Sequence, residues 1–95
     1  MNMTTLILPT LLTHDQAVTC SQKLALDISA HDGEAVFVDA SALEKFDSSA
    51  LAVLLQCRRD TAASAKSFGI SGMPNPLREL ANLYGVSELL EGTRG

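Results

Sequence analysis

With 95 residues, 46% of them hydrophobic, and a formal net charge of −4, the chain is long enough for one small core but too short for two. The acidic balance argues against a nucleic-acid partner and against polybasic attraction to anionic lipid, because both require a basic face. No apolar run approaches the roughly 20 residues of a membrane span, and no secretory signal pattern is evident. We therefore expect residues 1–95 to form a single cytoplasmic domain that does not itself insert into a membrane.

The two cysteines, Cys20 and Cys57, have neither a CxxC spacing nor a metal-ligand spacing. Two reduced cysteines in a cytosolic domain is the simplest interpretation. We therefore expect no metal and no cofactor.

The first half of the sequence predicts a strand, a helix and a second strand. A short β segment at 4–8 is stopped by Pro9. Thr13 and Gln16 have the spacing of a capping box, which predicts a helix from there to about Ala30, ended by Asp32-Gly33. Residues 35–40 are apolar and rich in β-branched and aromatic side chains, which is typical of a central strand in a parallel sheet. The inner stripe of the helix is expected to be Ala17, Cys20, Ser21, Leu24 and Ile28.

The second half predicts a helix, a strand and a further helix. Asp47 precedes an apolar, helix-forming run, so it is the predicted N-cap of a helix from Ser48 to about Ala65. Residues 66–73 form the next predicted strand. Asn75 is the predicted cap of a third helix that ends at Gly85, with one more helical turn at 87–90. The buried stripe of that third helix is expected to be Leu77, Leu80, Ala81 and Tyr84.

This alternation of strands and helices predicts an α/β fold with parallel pairing and right-handed crossovers. Helices on one face of so small a sheet are the expected arrangement, so the open face would have to be polar or very short. The first two turns of the second helix, residues 50–55, are apolar nearly all round. Either a neighbouring helix covers their outer side, or a patch remains for a partner.

The segment Asp47-Ser48-Ser49 is the main candidate site, and two interpretations are open. Asp47 can simply cap the helix, with the serines tolerated in its first turn. Alternatively, the positive end of the helix accommodates negative charge at this corner, where a phosphoserine would add about −1.5 to −2 charges. Modification of Ser48 would then change the sign of the local surface and switch the association with a partner.

Catalysis by Ser48 has little support in the sequence. A serine nucleophile needs a base and an oxyanion hole, and there is no Gly-x-Ser-x-Gly elbow. The histidines, His14 and His31, fall at the two ends of the first predicted helix. His14 is expected to be an ordinary surface residue of the first turn, and His31 is expected to interact favourably with the helix dipole at the C-terminal end. A phosphate-binding Gly-rich loop is also absent, so we expect no enzyme.

The run Asp-Ser-Ser-Ala-Leu-Ala-Val-Leu-Leu at 47–55, which follows an apolar strand and a connector, resembles the hallmark of STAS domains. The resemblance covers roughly residues 6–90. It implies a small mixed, partly parallel sheet of three or four strands with helices packed on one side. STAS domains often carry an additional strand ahead of the one at Leu6, so this sheet is expected to be one strand smaller, with an exposed edge.

One branch of that family is the anti-sigma factor antagonists. Their motif usually reads Asp-Ser-Ser-Gly-Leu, and the serine directly after the aspartate is phosphorylated by a kinase anti-sigma factor. The matching residue here is Ser48, and Ala50 stands where that branch has glycine. This branch implies an antagonist regulated by phosphorylation of Ser48.

A second branch, the small cytoplasmic STAS subunit of the Mla phospholipid ABC transporter, is similar along more of the sequence. The similarity includes Cys57-Arg58-Arg59 and the run Leu-Ala-Asn-Leu-Tyr-Gly-Val at 80–86. It implies a non-enzymatic accessory subunit in the transport that maintains outer-membrane lipid asymmetry. Its partner would be the ATPase subunit, bringing it to the inner face of the inner membrane. The implied contact residues are Asp47, Ser48, Ser49, Leu51 and Leu55.

Overall fold

Strands and helices alternate along residues 3–30 and 33–91, the part of the chain that the computed structural model describes. The elements are, in chain order, β1 Met3–Ile7, β2 Leu11–Leu12, α1 His14–Ala30, β3 Ala35–Asp39, β4 Lys45–Phe46, α2 Ser49–Ala63, β5 Ser67–Ser71, α3 Asn75–Leu83 and α4 Ser87–Glu91.

The main sheet has three strands in the order β1-β3-β5, and both pairings are parallel. Each parallel pairing needs a crossover, which α1 supplies between β1 and β3 and α2 supplies between β3 and β5. The predicted α/β class is therefore confirmed, with β3 as the central strand. The described strands pair only in parallel, including the short β2–β4 pair that the sequence did not predict.

The register divides the sheet into an inner and an outer face. Paired residues of parallel strands point to the same side, and successive residues alternate between sides. One inner row across the sheet is Leu6, Val38 and Ile70, and the next contains Val36 beside Phe68. The first of these rows is entirely apolar, and Val36 and Val38 are fully buried. The inner face is thus the floor of the core.

All four helices contribute to the core above that floor. Leu24 and Ile28 of α1 are buried, as the helical spacing predicts. The other buried helical side chains are Ala50, Leu51, Val53, Leu54, Cys57 and Thr61 of α2, Leu77 and Ala81 of α3, and Leu90 of α4. The helices cover one side of the sheet, in agreement with the expected STAS arrangement.

The open face of the sheet is short but not purely polar. Ile7 is 69% exposed and Phe37 is 36% exposed. The Phe37 ring lies over Gly69, where an added Cβ would come within 2.8 Å of ring atoms. Glycine at this position therefore lets the ring lie flat on the strand beside it. The expectation of a short open face holds, while its apolar content was not anticipated.

Helix α2 ends two residues earlier than the pattern suggests. Its last turn is closed by a Schellman motif in which Lys66 N–H donates to Thr61 O at 3.0 Å and Ala65 N–H donates to Ala62 O at 3.0 Å. This motif places Ala65 in the left-handed region, at φ 58°. An alanine there gives no sequence signal for a helix end, because glycine is the usual residue.

Two predictions for α3 are wrong, namely the identity of its N-cap and the burial of Tyr84. Pro74, with extended dihedral angles, is the N-cap, and Asn75 already belongs to the helix, so the predicted cap is wrong by one residue. Tyr84 follows the last helical residue and is 58% exposed, so it leaves the buried stripe. Gly85, at φ +74°, ends the helix as predicted. The predicted stop of α1 involves Asp32, which lies outside the described residues, as does His31.

Candidate functional site

The short parallel pair formed by β2 and β4, which we call the clasp, brings the starts of α1 and α2 together. Leu12 of β2 pairs with Phe46 of β4, so the next residues, Thr13 and Asp47, emerge side by side. The carbonyl of Thr10 strengthens the clasp, because it accepts hydrogen bonds from the N–H groups of residues 44 and 45 at 2.8 and 3.0 Å. Two helix N-termini therefore lie at the same corner of the molecule.

The start of α1 has one of the two reciprocal contacts of the capping box that the sequence predicts. The Gln16 side-chain oxygen accepts hydrogen bonds from the Thr13 N–H at 3.0 Å and from the Thr13 hydroxyl at 2.8 Å. This is the reach of the fourth capping-box residue back to the N-cap. The first turn of α1 is thereby fixed next to the clasp.

Asp47 is the functional cap of α2, as predicted. Ser48 already has helical dihedral angles, at φ −63° and ψ −15°, and the Asp47 carboxylate accepts the Ser49 N–H at 2.8 Å. The second carboxylate oxygen accepts the His14 N–H, 33 residues earlier in the chain, at 3.2 Å. One carboxylate therefore caps two helices, which local sequence patterns could not reveal.

These contacts also explain the electrostatics of the corner. The hydrogen bond from the Ser49 N–H, together with the one from the His14 N–H, favours the ionised carboxylate and lowers the pKa of Asp47 below its ordinary value of 3.8. Asp47 is therefore an anion held by two positive helix ends at neutral pH.

The two serines of the motif differ in exposure. Ser48 is exposed, and none of the hydrogen bonds found among the described residues engages its hydroxyl, while Ser49 is half-buried. Helical spacing places Ser48 on the outer side of α2. We call the solvent-facing line of that helix the α2 outer stripe, and it comprises Ser48, Ala52, Leu55, Gln56 and Arg59.

The two leucines expected to flank Ser48 fall in different environments. Leu51 is 3% exposed and belongs to the core. Its side chain does not reach the surface, so Leu51 is not part of the α2 outer stripe. Leu55 is half-buried, packs against the core from its edge, and remains accessible within the α2 outer stripe. Ala52, four residues after Ser48, is exposed and was not singled out by the sequence.

The apolar start of α2 is covered mainly by neighbouring helices. Helix α1 packs along it, and α4 contacts it as well. Of the two alternatives for these turns, coverage by helices accounts for Ala50, Leu51, Val53 and Leu54, all of which are buried. A partner would therefore meet a stripe with small side chains at its start and longer polar ones at its end.

The rest of the described chain offers little chemistry. Within residues 3–30 and 33–91, no three His, Cys, Asp or Glu side chains are grouped to hold a metal ion. Burial raises the pKa of the Cys57 thiol to about 12, so this cysteine is an unreactive part of the core. Among the helices of the same residues, none is long and apolar enough to cross a bilayer.

A family model described as "Mlab, STAS domain" matches residues 2–91. No curated protein sequence matches the chain.

Proposed function

Because the chain belongs to the Mlab STAS domain family, we propose that it is a non-enzymatic accessory subunit of an ABC transporter that moves phospholipid and so maintains outer-membrane lipid asymmetry. A regulatory or accessory role is general to STAS domains. The finer assignment to a transporter ATPase partner is our proposal, and the family match is the observation that carries it.

The proposed contact with the ATPase is the corner at Asp47, Ser48 and Ser49, together with the α2 outer stripe. Ser48 and Ala52 lie one helical turn apart and are both exposed. Small side chains at these positions let another polypeptide approach the helix closely. Leu55 at the edge of the core adds an apolar contact, and Arg59 adds a charge at the far end of the stripe. In this proposal Asp47 acts indirectly, by fixing the start of α2.

The test is the binding of the purified cognate ATPase to wild type and to Ser48→Glu, measured by isothermal titration calorimetry. The new carboxylate lies at a helix N-terminus, where it is compatible with folding. At a packed contact, however, it is an uncompensated charge. We expect at least a tenfold loss of affinity, which corresponds to about 1.4 kcal/mol.

The matched control is Ser29→Glu, which makes the same substitution near the C-terminal end of α1, far from the corner at which α1 and α2 begin. Ser29 is exposed and lies about 22 Å along the helix from His14, at about 1.5 Å per residue. The control should bind like wild type. Equal affinity of wild type and Ser48→Glu for the ATPase would remove this corner from the contact.

A second candidate function is that of an anti-sigma factor antagonist controlled by phosphorylation of Ser48. The exposed Ser48 hydroxyl, on the first turn of α2, favours it. An attached phosphate would be attracted to the helix N-terminus and repelled by the Asp47 carboxylate. Incubation with a kinase anti-sigma factor and ATP, followed by intact-mass analysis, should then add one phosphate to wild type and none to Ser48→Ala. An unchanged mass of the wild type would exclude this alternative.

A further inference from the structure

The outer edge of β1 has no partner strand within the described part of the chain. Leu8 N–H donates to Asp39 O at 3.0 Å, so the even-numbered residues of β1 direct their backbone groups toward β3. Alternate residues of a strand turn to opposite edges. Thr5 and Ile7 therefore direct their N–H and C=O groups to the free edge.

This edge lacks the usual devices that prevent pairing with another strand. Every Asp, Glu, Lys and Arg of the chain lies after Thr13, so β1 carries no charged side chain. Pro9 lies beyond the end of the strand and leaves the donors at Thr5 and Ile7 intact. In a molecule with a net charge of −4, this is a neutral edge at which two copies can meet with little electrostatic repulsion.

The free edge is also self-complementary. An antiparallel pair of strands exchanges two hydrogen bonds wherever residues that face the partner lie opposite each other. If Thr5 lies opposite Thr5 of a second copy, Ile7 lies opposite Met3 of that copy, and all outward-facing residues of the strand find partners. A register centred on Thr5 uses the full length of β1, whereas any shift by two residues loses pairs.

A groove beside the edge gives the second copy further surface to contact. It has a volume of about 750 Å³ and lies between β1 and α1, with apolar walls formed by Leu8, Leu11 and Leu24. Its α1 side also presents Asp15, Lys23 and Asp27, so both signs of charge occur along it. Five-residue strands alone cover less than the roughly 1,200 Å² of a stable complex, so contacts across this groove would have to add to the strand pairing.

We propose that the free edge of β1 is a self-association surface, at which a second copy of this chain pairs antiparallel with Thr5 opposite Thr5. The two three-stranded sheets then continue as one sheet of six strands. The two-fold axis runs perpendicular to the sheet, so the helices of both copies lie on the same side. The α2 outer stripe belongs to a different element and stays free for another partner.

Sedimentation equilibrium tests the proposal on the full chain from micromolar to millimolar concentration. The wild type should rise from 10.1 kDa toward twice that mass. Thr5→Lys and Thr5→Glu each place like charges directly opposite one another across the two-fold axis, which is unfavourable. Each variant alone should therefore stay monomeric, and their equimolar mixture should dimerise.

The control pair is Ser67→Lys and Ser67→Glu, which makes the same charge changes at an exposed residue of β5, on the opposite edge of the sheet. These variants should dimerise like wild type. A wild type that stays monomeric at millimolar concentration overturns the proposal. So does a dimer that persists in both Thr5 variants, or a mixture that fails to dimerise.

Hydrogen exchange supplies a measurement that needs no variant. The Thr5 and Ile7 amides of the wild type should exchange more slowly as its concentration rises, because they gain acceptors only in the dimer. The Leu8 amide, which already has an intramolecular acceptor, should change less. Concentration-independent exchange at Thr5 and Ile7 would contradict strand pairing at this edge.

Discussion

The Asp47 carboxylate accepts hydrogen bonds from the first turns of α1 and α2, so its charge stabilises two helices at once. That the residue caps α2 follows from its position before an apolar helical run. That it also holds α1 follows from the β2–β4 clasp, which pairs only two residues per strand. A pairing of only two residues per strand is too short to show a hydrophobic period, so it cannot be predicted from the sequence pattern.

We expect the acid sensitivity of folding to depend on Asp47. Its folded-state pKa is lowered, chiefly by the Ser49 N–H. The unfolded state therefore binds its proton more readily, and stability rises with pH across this titration. The stabilisation is present above about pH 4 and is lost as pH falls through the lowered pKa. Urea unfolding of wild type and Asp47→Asn between pH 7 and pH 2 measures the difference.

The free energy of unfolding of wild type should fall more steeply on acidification than that of Asp47→Asn, because the amide has no such proton to gain. The Asn side chain keeps an acceptor for a helix N–H, so the variant should remain folded at pH 7. Two curves of the same shape would show that the carboxylate is not energetically coupled to folding.

Helix α2 shows how one element serves both the core and the candidate site. Its inner positions are buried, and its outer stripe begins with Ser48 and Ala52. The helical pattern predicted the element and its cap. It did not separate inner from outer leucines, because residues 50–55 are apolar nearly all round. Only the positions of α1 and α4 decide which of those side chains are covered.

Leu51 and Leu55 should therefore respond differently to truncation. Leu51→Ala removes a core side chain that is 3% exposed, and its expected cost in unfolding free energy is about 2–5 kcal/mol. Leu55→Ala, at a half-buried position, should cost less stability but weaken ATPase binding under the proposed function. Urea denaturation and calorimetric titration separate the two effects. A larger stability loss for Leu55→Ala would mean that the assignment of inner and outer sides is wrong.

The end of α2 is a site for stabilisation. Ala65 adopts a left-handed conformation, at φ 58°, which disfavours residues with a Cβ by about 1–2 kcal/mol. Glycine relieves that strain but loses more entropy on folding, so Ala65→Gly should raise the unfolding free energy by about 0.5–1 kcal/mol. Thermal unfolding checks this through a rise of a few degrees in Tm. The control, Ala52→Gly within the same helix, should lower Tm, because interior glycine is unfavourable.

At the scale of the molecule, the alternation of strands and helices was enough to predict the parallel α/β arrangement, the central position of β3 and the helix-covered face. The apolar row Leu6, Val38 and Ile70 has the composition that such a sheet requires. The exposure of Tyr84 and Ile7 was not predictable, because it depends on where α3 ends and on what covers the sheet. Within the described residues, β1 lies at one side of the sheet with its outer edge unpaired.

Parallel pairing throughout the main sheet also constrains how the chain can be made in the cell. Neither neighbour of β3 reaches it through a tight turn, since a whole helix must be traversed on each side. During synthesis, β3 could pair with β1 at one edge, but its other edge would stay unpaired until residues 67–71 leave the ribosome. A nascent chain stopped at Lys66 would therefore stay open to proteases, and the sheet would be completed only after β5 has emerged.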